Sequence, residues 1–135
     1  MSENTVSEKS MRFSVRIVRL YHYLADRKKE YVLSKQILRA GTSIGANIAE
    51  AESSYSKRDF LAKMYIAFKE CAETNYWLRL LYNTGYLSKR EFDSINRDCM
   101  ELKNMLSAIT KTTRENLEKQ KEEESRKNGR ITPNS

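Results

Sequence analysis

Residues 33–52 read LSKQILRAGTSIGANIAEAE and carry three stripes of different chemistry at helical spacing. The first stripe is bulky and apolar and contains Leu33, Ile37, Ile44, Ile48 and Ala51. The second has almost no side-chain bulk and contains Gly41, Gly45 and Ala49. The third is polar and contains Gln36, Arg39, Ser43, Asn47 and Glu50. Side chains three and four positions apart share one face of an α-helix, so this stretch predicts a helix with three distinct faces.

The small and polar stripes of this helix predict contacts beyond the core. A glycine inside a helix costs about 0.5 to 1 kcal/mol relative to alanine, so Gly41 and Gly45 indicate a close contact that needs their small size. Buried polar groups must satisfy one another, whereas solvated ones carry no information. We therefore assign Gly41, Gly45, Ser43, Asn47 and Glu50 to a helix or oligomer contact.

Three further segments show helical periodicity. The first, residues 8–27, has a buried face of Phe13, Ile17, Leu20 and Leu24, widened by Met11, Val15 and Val18. The next begins at a Ser56 cap and ends at Gly85, and the last begins at the capping box Ser88–Glu91 and carries a narrow apolar seam to Ile109. Short connections force neighbouring helices to run antiparallel. The sequence thus predicts an all-α, up-down-up-down four-helix bundle.

The ends of this single domain follow from its apolar positions. We predict a flexible N-terminus at residues 1–7 and the bundle at residues 8–113. The apolar pattern is lost after Ile109, which predicts a fraying helix end and a disordered C-terminal tail at residues 114–135. Trp77, with Leu80 and Leu81, lies away from the main apolar face of the third helix, which indicates a contact with another helix or another subunit.

Several classes of function are disfavoured by composition. No apolar run approaches the roughly 20 residues that cross a bilayer, and the start MSENTVSEKS lacks the apolar stretch of a signal peptide, so we expect a cytoplasmic protein without a membrane partner. Cys71 and Cys99 lie in apolar helical patterns and are predicted to be reduced core thiols. With one histidine, His22, no metal site and no cofactor are predicted.

Catalysis is not predicted either. Glu50, Glu70 and Glu73 are possible acids or bases, but no nucleophile is paired with a base and no glycine-rich loop follows a strand. His22 is placed beside Met11 on an apolar helical face, where a structural role is the commoner one. We expect no catalytic residue and no small-molecule substrate.

Positive charge is concentrated at the start of the chain. The formal net charge is +7, and residues 1–40 hold nine Lys or Arg against four Asp or Glu, while residues 41–110 hold nine of each. The predicted nucleic-acid-binding residues are Lys9, Arg12, Arg16, Arg19, Tyr23, Arg27, Lys28, Lys29, Lys35 and Arg39. A one-sided cationic surface of this kind suits phosphate, although a basic face is often only solvated.

Three motifs carry a resemblance to a known family. Residues 43–50 read SIGANIAE, residues 55–60 read YSKRDF and residues 73–78 read ETNYWL. In these motifs the chain resembles the four-helix-bundle family of ribosomal RNA intervening-sequence proteins, over roughly residues 13–106. It is also distantly similar to the accessory proteins of diversity-generating retroelements.

The resemblance implies a function as well as a fold. Members of the family are encoded within intervening sequences of bacterial large-subunit ribosomal RNA genes, or resemble proteins encoded there. The retroelement accessory proteins are basic pentameric barrels that engage nucleic acid and a reverse transcriptase. The resemblance therefore implies a homo-oligomer, by that likeness a pentamer, that binds RNA or another nucleic acid. The alternative is a protein-interaction scaffold or adaptor ring without direct nucleic-acid contact.

Overall fold

Four long helices make up the part of the chain that this computed structural model describes, which is the backbone of residues 5–131 and the side chains up to residue 129. Their bounds are α1 Val6–His22, α2 Leu33–Ala51, α3 Lys57–Asn83 and α4 Lys89–Ile131. Helix α1 packs against α2 and α4, and α3 packs against the same two helices. Each helix therefore has two neighbours, and the four form a closed bundle. The predicted up-down-up-down bundle is confirmed. Within residues 5–131, no helix combines the length and apolarity needed to span a membrane.

The core contains the apolar positions that recur at helical spacing. Its fully buried side chains include Ile17, Leu24, Ile37, Ile44, Cys71, Leu78, Leu81, Cys99 and Leu106. Both cysteines are free thiols, and the Cys99 thiol donates a hydrogen bond to the Cys71 carbonyl at 3.5 Å. The interaction with Cys99 and burial in an apolar core raise the pKa of the Cys71 thiol. The Cys71 thiol therefore remains protonated, and both buried cysteines pack as small core side chains.

The predicted caps of α3 and α4 are present. The Ser56 hydroxyl accepts a hydrogen bond from the Asp59 amide at 3.1 Å. At the start of α4, the Ser88 amide donates to the Glu91 carboxylate at 2.8 Å and the Glu91 amide donates to the Ser88 hydroxyl at 3.1 Å. Gly85 follows the end of α3 with a φ of 86°, a conformation that glycine adopts without strain. The prediction of these helix ends is confirmed.

The end of α1 is less regular than the predicted helix. One π-helical turn, Tyr23–Arg27, prolongs α1, and the Lys28 amide donates to the carbonyl at the start of this turn at 3.2 Å. Lys29 then adopts a φ of 56°, which reverses the chain. The Glu30 carboxylate accepts a hydrogen bond from the Ser34 amide at 2.7 Å and so caps α2. The loop between α1 and α2 thus supplies the N-terminal cap of α2.

The N-terminal end of the bundle lies close to its predicted position. Helix α1 begins at Val6 and not at Glu8, because the Thr5 hydroxyl accepts a hydrogen bond from the Glu8 amide at 3.0 Å and caps the helix. Residues 1–4 of the predicted flexible segment lie outside the described residues.

The fourth helix continues beyond the predicted end of the bundle. Core contacts do fade after Ile109, and every side chain from 118 to 129 is exposed, but the backbone stays helical to Ile131. This extension is rich in Glu, Lys, Gln and Arg, which are strong helix formers. Glu–Lys or Glu–Arg spacings of four residues occur at 115/119, 122/126 and 123/127 and support the helix locally. The predicted tail at 114–135 is therefore helical as far as Ile131, and residues 132–135 lie outside the described part.

The apolar stripe Met11, Val15 and Val18 does not widen the buried face of α1, so that prediction is wrong. Met11 is 67% exposed, Val15 41% and Val18 39%. The three residues point away from the core, next to His22, whose Nδ1 lies 3.9 Å from an Asp26 carboxylate oxygen. Two apolar arcs at helical spacing thus lie on opposite sides of α1, and only the arc of Phe13 and Ile17 is buried. We call the exposed arc, Met11, Val15 and Val18, the outer stripe.

Candidate nucleic-acid interface

The basic side of α1 faces α4 at Arg16. The Arg16 guanidinium donates to the Asp98 carboxylate at 2.7 Å, to the Ser94 hydroxyl at 2.9 Å and to the Ser94 carbonyl at 3.2 Å. One side chain of α1 is therefore tied to two positions of α4, and its charge is balanced. Arg16 joins two helices and presents little uncompensated charge to a ligand.

The N-terminal half of the predicted basic stripe also meets carboxylates. The Lys9 ammonium lies 3.0 Å from a Glu101 carboxylate oxygen. Arg12 lines the same small cleft as Lys9, together with Asp98 and Glu101 of α4. Asp98 also pairs with Arg16, so three cations of α1 face two carboxylates of α4 here, and most of their positive charge is compensated.

Arg39 lies on another side of the bundle, between α2 and α3. Its guanidinium forms an ion pair with Glu73 and lies 3.5 Å from a Glu70 carboxylate oxygen. Glu73 also accepts a hydrogen bond from the Trp77 indole at 2.9 Å. The Trp77 hydrogen bond and the bond from Arg39 lower the pKa of Glu73, and the hydrogen bond to Glu73 raises the pKa of Arg39. Arg39 is therefore not brought together with the cations of α1.

A groove lies between the end of α1 and the start of α4. We call it the α1–α4 groove; it has a volume of about 450 Å³ and is lined by Arg16, Arg19, Leu20, Tyr23, Leu87, Arg90, Glu91, Ser94 and Ile95. Its floor is apolar and its rim holds three arginines and one carboxylate. Arg19 and Arg90 are exposed, and neither has an ion-pair partner among the described side chains. The uncompensated charge of this face therefore lies at its α1 C-terminal end.

Helix α4 contributes cations to this face that were not among the predicted binding residues. Arg90 lines the groove, and a shallow depression beside it is lined by Arg97, Lys89 and Asp93 as well. Lys89 is paired with Asp93 at 2.7 Å, whereas Arg97 is exposed and has no ion-pair partner within the described side chains. The stripe Arg90, Ser94, Asp98 and Glu101 has spacings of four, four and three, and it would have indicated a face of α4 directed at α1.

The other predicted binding residues lie in the wall of the groove or outside it. Tyr23 is half-buried in the groove wall, and the Lys28 ammonium lies 5.7 Å from the centre of its ring. Arg27, Lys29 and Lys35 are exposed on the π-helical turn, the following loop and the first turn of α2. None of these three lines the groove.

The contact at the small-residue stripe is made inside the chain. A Cβ atom added to Gly41 would lie 2.7 to 2.9 Å from three side-chain carbons of Ile17. One added to Gly45 would lie 3.2 Å from the Ser14 hydroxyl and 3.3 Å from the Ser10 hydroxyl. The Ile17 side chain of α1 thus lies directly against the backbone of α2 at Gly41, where a Cβ atom does not fit.

The polar stripe of α2 is satisfied locally. The Ser43 hydroxyl donates to the Arg39 carbonyl at 2.6 Å, and the Asn47 amide donates to the Ser43 carbonyl at 2.8 Å. Glu50 pairs with Lys63 at 2.9 Å. Ser43 and Asn47 therefore bond within α2, and Glu50 bonds to Lys63 of α3.

The second apolar side of α3 belongs to the core. Leu81 is fully buried, and Trp77 is half-buried and packs against the core cluster. Together with its indole hydrogen bond to Glu73, this packing satisfies Trp77 within the chain.

Comparison with known proteins gives a family and a fold. The sequence model of a family described as 23S rRNA-intervening sequence protein matches residues 2–108. The chain shares 52% sequence identity with a protein of unknown function from Bacteroides thetaiotaomicron VPI-5482, which is assigned to the S23 ribosomal protein family. The crystal structure of that protein superposes on this chain with a TM-score of 0.79. That similarity covers 79% of this chain and 99% of the other. No protein with a curated description matches the chain.

Proposed function

Because the chain belongs to the family of 23S rRNA-intervening sequence proteins, we propose that it is a non-enzymatic RNA-binding protein that contacts phosphate through the α1–α4 groove. The observation that carries the proposal is the pair Arg19 and Arg90. These two guanidinium groups come from different helices, line one groove and have no carboxylate partner among the described side chains.

The surroundings of the pair favour an anionic ligand. Lys28 lies above the Tyr23 ring at the edge of the groove, and Arg97 extends the charge along α4. A phosphate backbone bound here releases counterions, which supplies affinity without reading base sequence. The exposed edge of Tyr23 gives a base or ribose an apolar surface. The proposed site is smaller than the one expected from sequence, because Lys9, Arg16 and Arg39 are already paired.

Replacing Arg19 and Arg90 together with glutamine is expected to weaken RNA binding about 10- to 100-fold at low salt, since two phosphate contacts are lost. The slope of log K against log salt should become shallower by about 2. Fluorescence anisotropy with a labelled RNA hairpin, titrated at several salt concentrations, measures both quantities.

The matched control removes two charges elsewhere. Lys121→Gln with Arg126→Gln changes the net charge by the same amount on the exposed extension of α4. We expect a loss of less than about threefold for this control when both variants are compared at about 0.1 M salt, because the Debye length of about 10 Å there screens distant charges. Equal losses in the two variants would contradict a local site, and no affinity of the wild-type chain for RNA or DNA at low salt would contradict the function.

A second candidate function is a homo-oligomeric scaffold, and the outer stripe of α1 favours it. Met11, Val15 and Val18 form a continuous apolar surface along about two turns of α1. Exposed apolar stripes of this kind commonly mark protein contacts. A second copy of the chain could cover it without using the α1–α4 groove. Oligomerisation is therefore compatible with RNA binding and also sufficient for a scaffold alone.

Introducing a charge at the centre of the outer stripe tests this second candidate. If the stripe is a subunit contact, wild-type protein sediments as a multiple of its 15.8 kDa mass and Val15→Glu sediments as a monomer, because an unpaired carboxylate in an apolar interface is strongly unfavourable. Analytical ultracentrifugation over a range of protein concentrations provides the measurement. Lys119→Glu, on the exposed extension, is the control. A wild-type monomer at micromolar concentration would argue against the scaffold.

A further inference from the structure

A second cationic surface, with a different chemistry, lies between α3 and α4. It surrounds a cleft of about 520 Å³ that we call the Tyr65 cleft and that is lined by Arg58, Leu61, Ala62, Tyr65 and Arg114. An adjoining cleft of about 440 Å³ is lined by Tyr65, Phe68, Ser107, Thr110, Lys111, Arg114, Glu115 and Glu118. Tyr65 and Arg114 line both clefts, so the Tyr65 ring stands between two open spaces.

The Tyr65 ring is exposed and also held in place. It is 48% exposed and stacks on Phe68, with ring centres 5.9 Å apart and planes inclined by 22°. The Lys69 ammonium lies 5.7 Å from the centre of the Tyr65 ring, and the Lys103 ammonium lies 5.9 Å from the centre of the Phe68 ring. An aromatic ring fixed by its neighbours loses little conformational freedom when another flat group stacks on it.

The charge around this ring is mainly positive. Arg58, Lys69, Lys103, Lys111 and Arg114 lie on or beside the two clefts. No ion pair joins any of these five cations to a carboxylate among the described side chains. The carboxylates of Glu115 and Glu118 line only the adjoining cleft. A ligand that fits the Tyr65 cleft is therefore flat, apolar on its faces and negatively charged at its edge.

We propose that the Tyr65 cleft binds single-stranded nucleic acid, with an unpaired base stacked on Tyr65 and the neighbouring phosphates held by Arg58 and Arg114. Stacking on aromatic side chains combined with cationic contacts to the backbone is the usual mode of single-strand recognition. A duplex does not satisfy this site, because both faces of each internal base are already stacked. Leu61 and Ala62 supply the apolar floor on which the edge of the base rests.

This proposal differs in its ligand from the one for the α1–α4 groove. The groove offers phosphate contacts and suits any nucleic-acid backbone, whereas the Tyr65 cleft requires a free base. The two surfaces lie on different faces of the bundle. The α1–α4 groove is formed by α1 and the start of α4, whereas the Tyr65 cleft is formed by α3 and the later part of α4. Arg114 lies just beyond the predicted end of the bundle, so the first turn of the extension, and not its later part, takes part in this cleft.

Substituting Tyr65 with leucine tests the cleft in the full-length protein. We expect affinity for a labelled oligouridylate of about 10 nucleotides to fall about 5- to 100-fold, since stacking of one base is lost. Affinity for a duplex of the same length should change less than about twofold. Tyr65→Phe keeps the ring and should bind the single strand as the wild type does. Fluorescence anisotropy gives the affinities, and circular dichroism confirms folding of each variant.

The chain contains a matched control on the same helix. Tyr76 is 50% exposed on α3, close to the 48% of Tyr65, but it lines none of the clefts described above. Tyr76→Leu should leave single-strand affinity unchanged. Equal losses for Tyr65→Leu and Tyr76→Leu, or equal losses on single strand and duplex, would overturn the proposal.

Three further outcomes are also decisive. Unchanged single-strand affinity in Tyr65→Leu overturns the proposal, and it leaves the function of the α1–α4 groove intact if the Arg19 and Arg90 variant still loses affinity. Competition by uridine monophosphate at the same concentration as the oligomer would overturn it in favour of a free nucleotide. A change of sedimenting mass in Tyr65→Leu, without a change in nucleic-acid affinity, would overturn it in favour of a second copy of the chain.

Discussion

Replacing Gly41 with alanine is expected to lower the free energy of unfolding by about 1 to 3 kcal/mol, although alanine is the better helix former. The new Cβ would lie 2.7 Å from Ile17 Cγ1, 2.8 Å from Cδ1 and 2.9 Å from Cγ2. Ile17 is fully buried, so its side chain cannot rotate into solvent. Helices α1 and α2 must therefore move apart, and the packing lost along them outweighs the gain of about 0.5 to 1 kcal/mol in helix propensity.

Urea unfolding followed by circular dichroism measures this effect, and Gly45→Ala is the matched control. Gly45 lies one turn further along the same face, where an added Cβ would meet the Ser14 hydroxyl at 3.2 Å, the Ser10 hydroxyl at 3.3 Å and the Ser10 Cβ at 3.6 Å. We expect Gly45→Ala to change the free energy of unfolding by less than about 1 kcal/mol, since small shifts of two serines accommodate the methyl group.

A double-mutant cycle identifies the contact itself. Ile17→Ala removes all three carbons that the new methyl group would meet, so Ile17→Ala with Gly41→Ala should be less destabilised than the sum of the single variants by about 1 to 2 kcal/mol. Additive effects would show that Gly41 is needed for another reason.

The close contact at Gly41 illustrates what the sequence could supply. Two glycines one turn apart indicated a strip without bulk, because glycine in a helix interior is unfavourable without a reason. The spacing of Ile37, Ile44 and Ile48 likewise predicted the face that is buried. The identity of the partner, Ile17, was not accessible, since it depends on how α1 and α2 are placed against each other. Periodicity describes one helix at a time.

The same limit explains the error on α1. This helix carries apolar residues on two opposite arcs, and both repeat at helical spacing. Hydrophobicity alone placed both Met11 and Phe13 on the buried face. The core of the bundle, however, has room for only one of the two arcs. The pairing of Lys9 with Glu101 and of Arg16 with Asp98 was likewise hidden, because these ion pairs join residues 92 and 82 positions apart.

The extension of α4 shows a different limit. The loss of apolar positions after Ile109 correctly marked where core contacts fade. Loss of a core does not by itself remove a helix when the residues are strong helix formers with oppositely charged neighbours four positions apart. Arg114 lies just outside the predicted bundle, in the predicted fraying helix end, so the predicted boundary at residue 113 left out a residue that lines the Tyr65 cleft.

The buried and exposed arcs of α1 are expected to respond very differently to truncation of a side chain. Phe13→Ala is expected to lower the free energy of unfolding by about 3 to 5 kcal/mol, because Phe13 is 1% exposed and its removal leaves a cavity in the core. Met11→Ala, two residues away and 67% exposed, should change it by less than about 0.5 kcal/mol in the monomer. Urea unfolding at low protein concentration measures both. A mild Phe13→Ala together with a severe Met11→Ala would reverse the assignment of the faces.

The concentration dependence of Met11→Ala carries information that Phe13→Ala does not. If a second copy covers the outer stripe, unfolding is coupled to dissociation, and wild-type stability rises with protein concentration. Met11→Ala would then be destabilised most at high concentration, where the wild type gains most from association. Phe13→Ala would be destabilised at every concentration, since its cavity lies within one chain. A Met11→Ala effect that is small and constant would leave the outer stripe solvated and the RNA-binding surfaces as the functional part of the bundle.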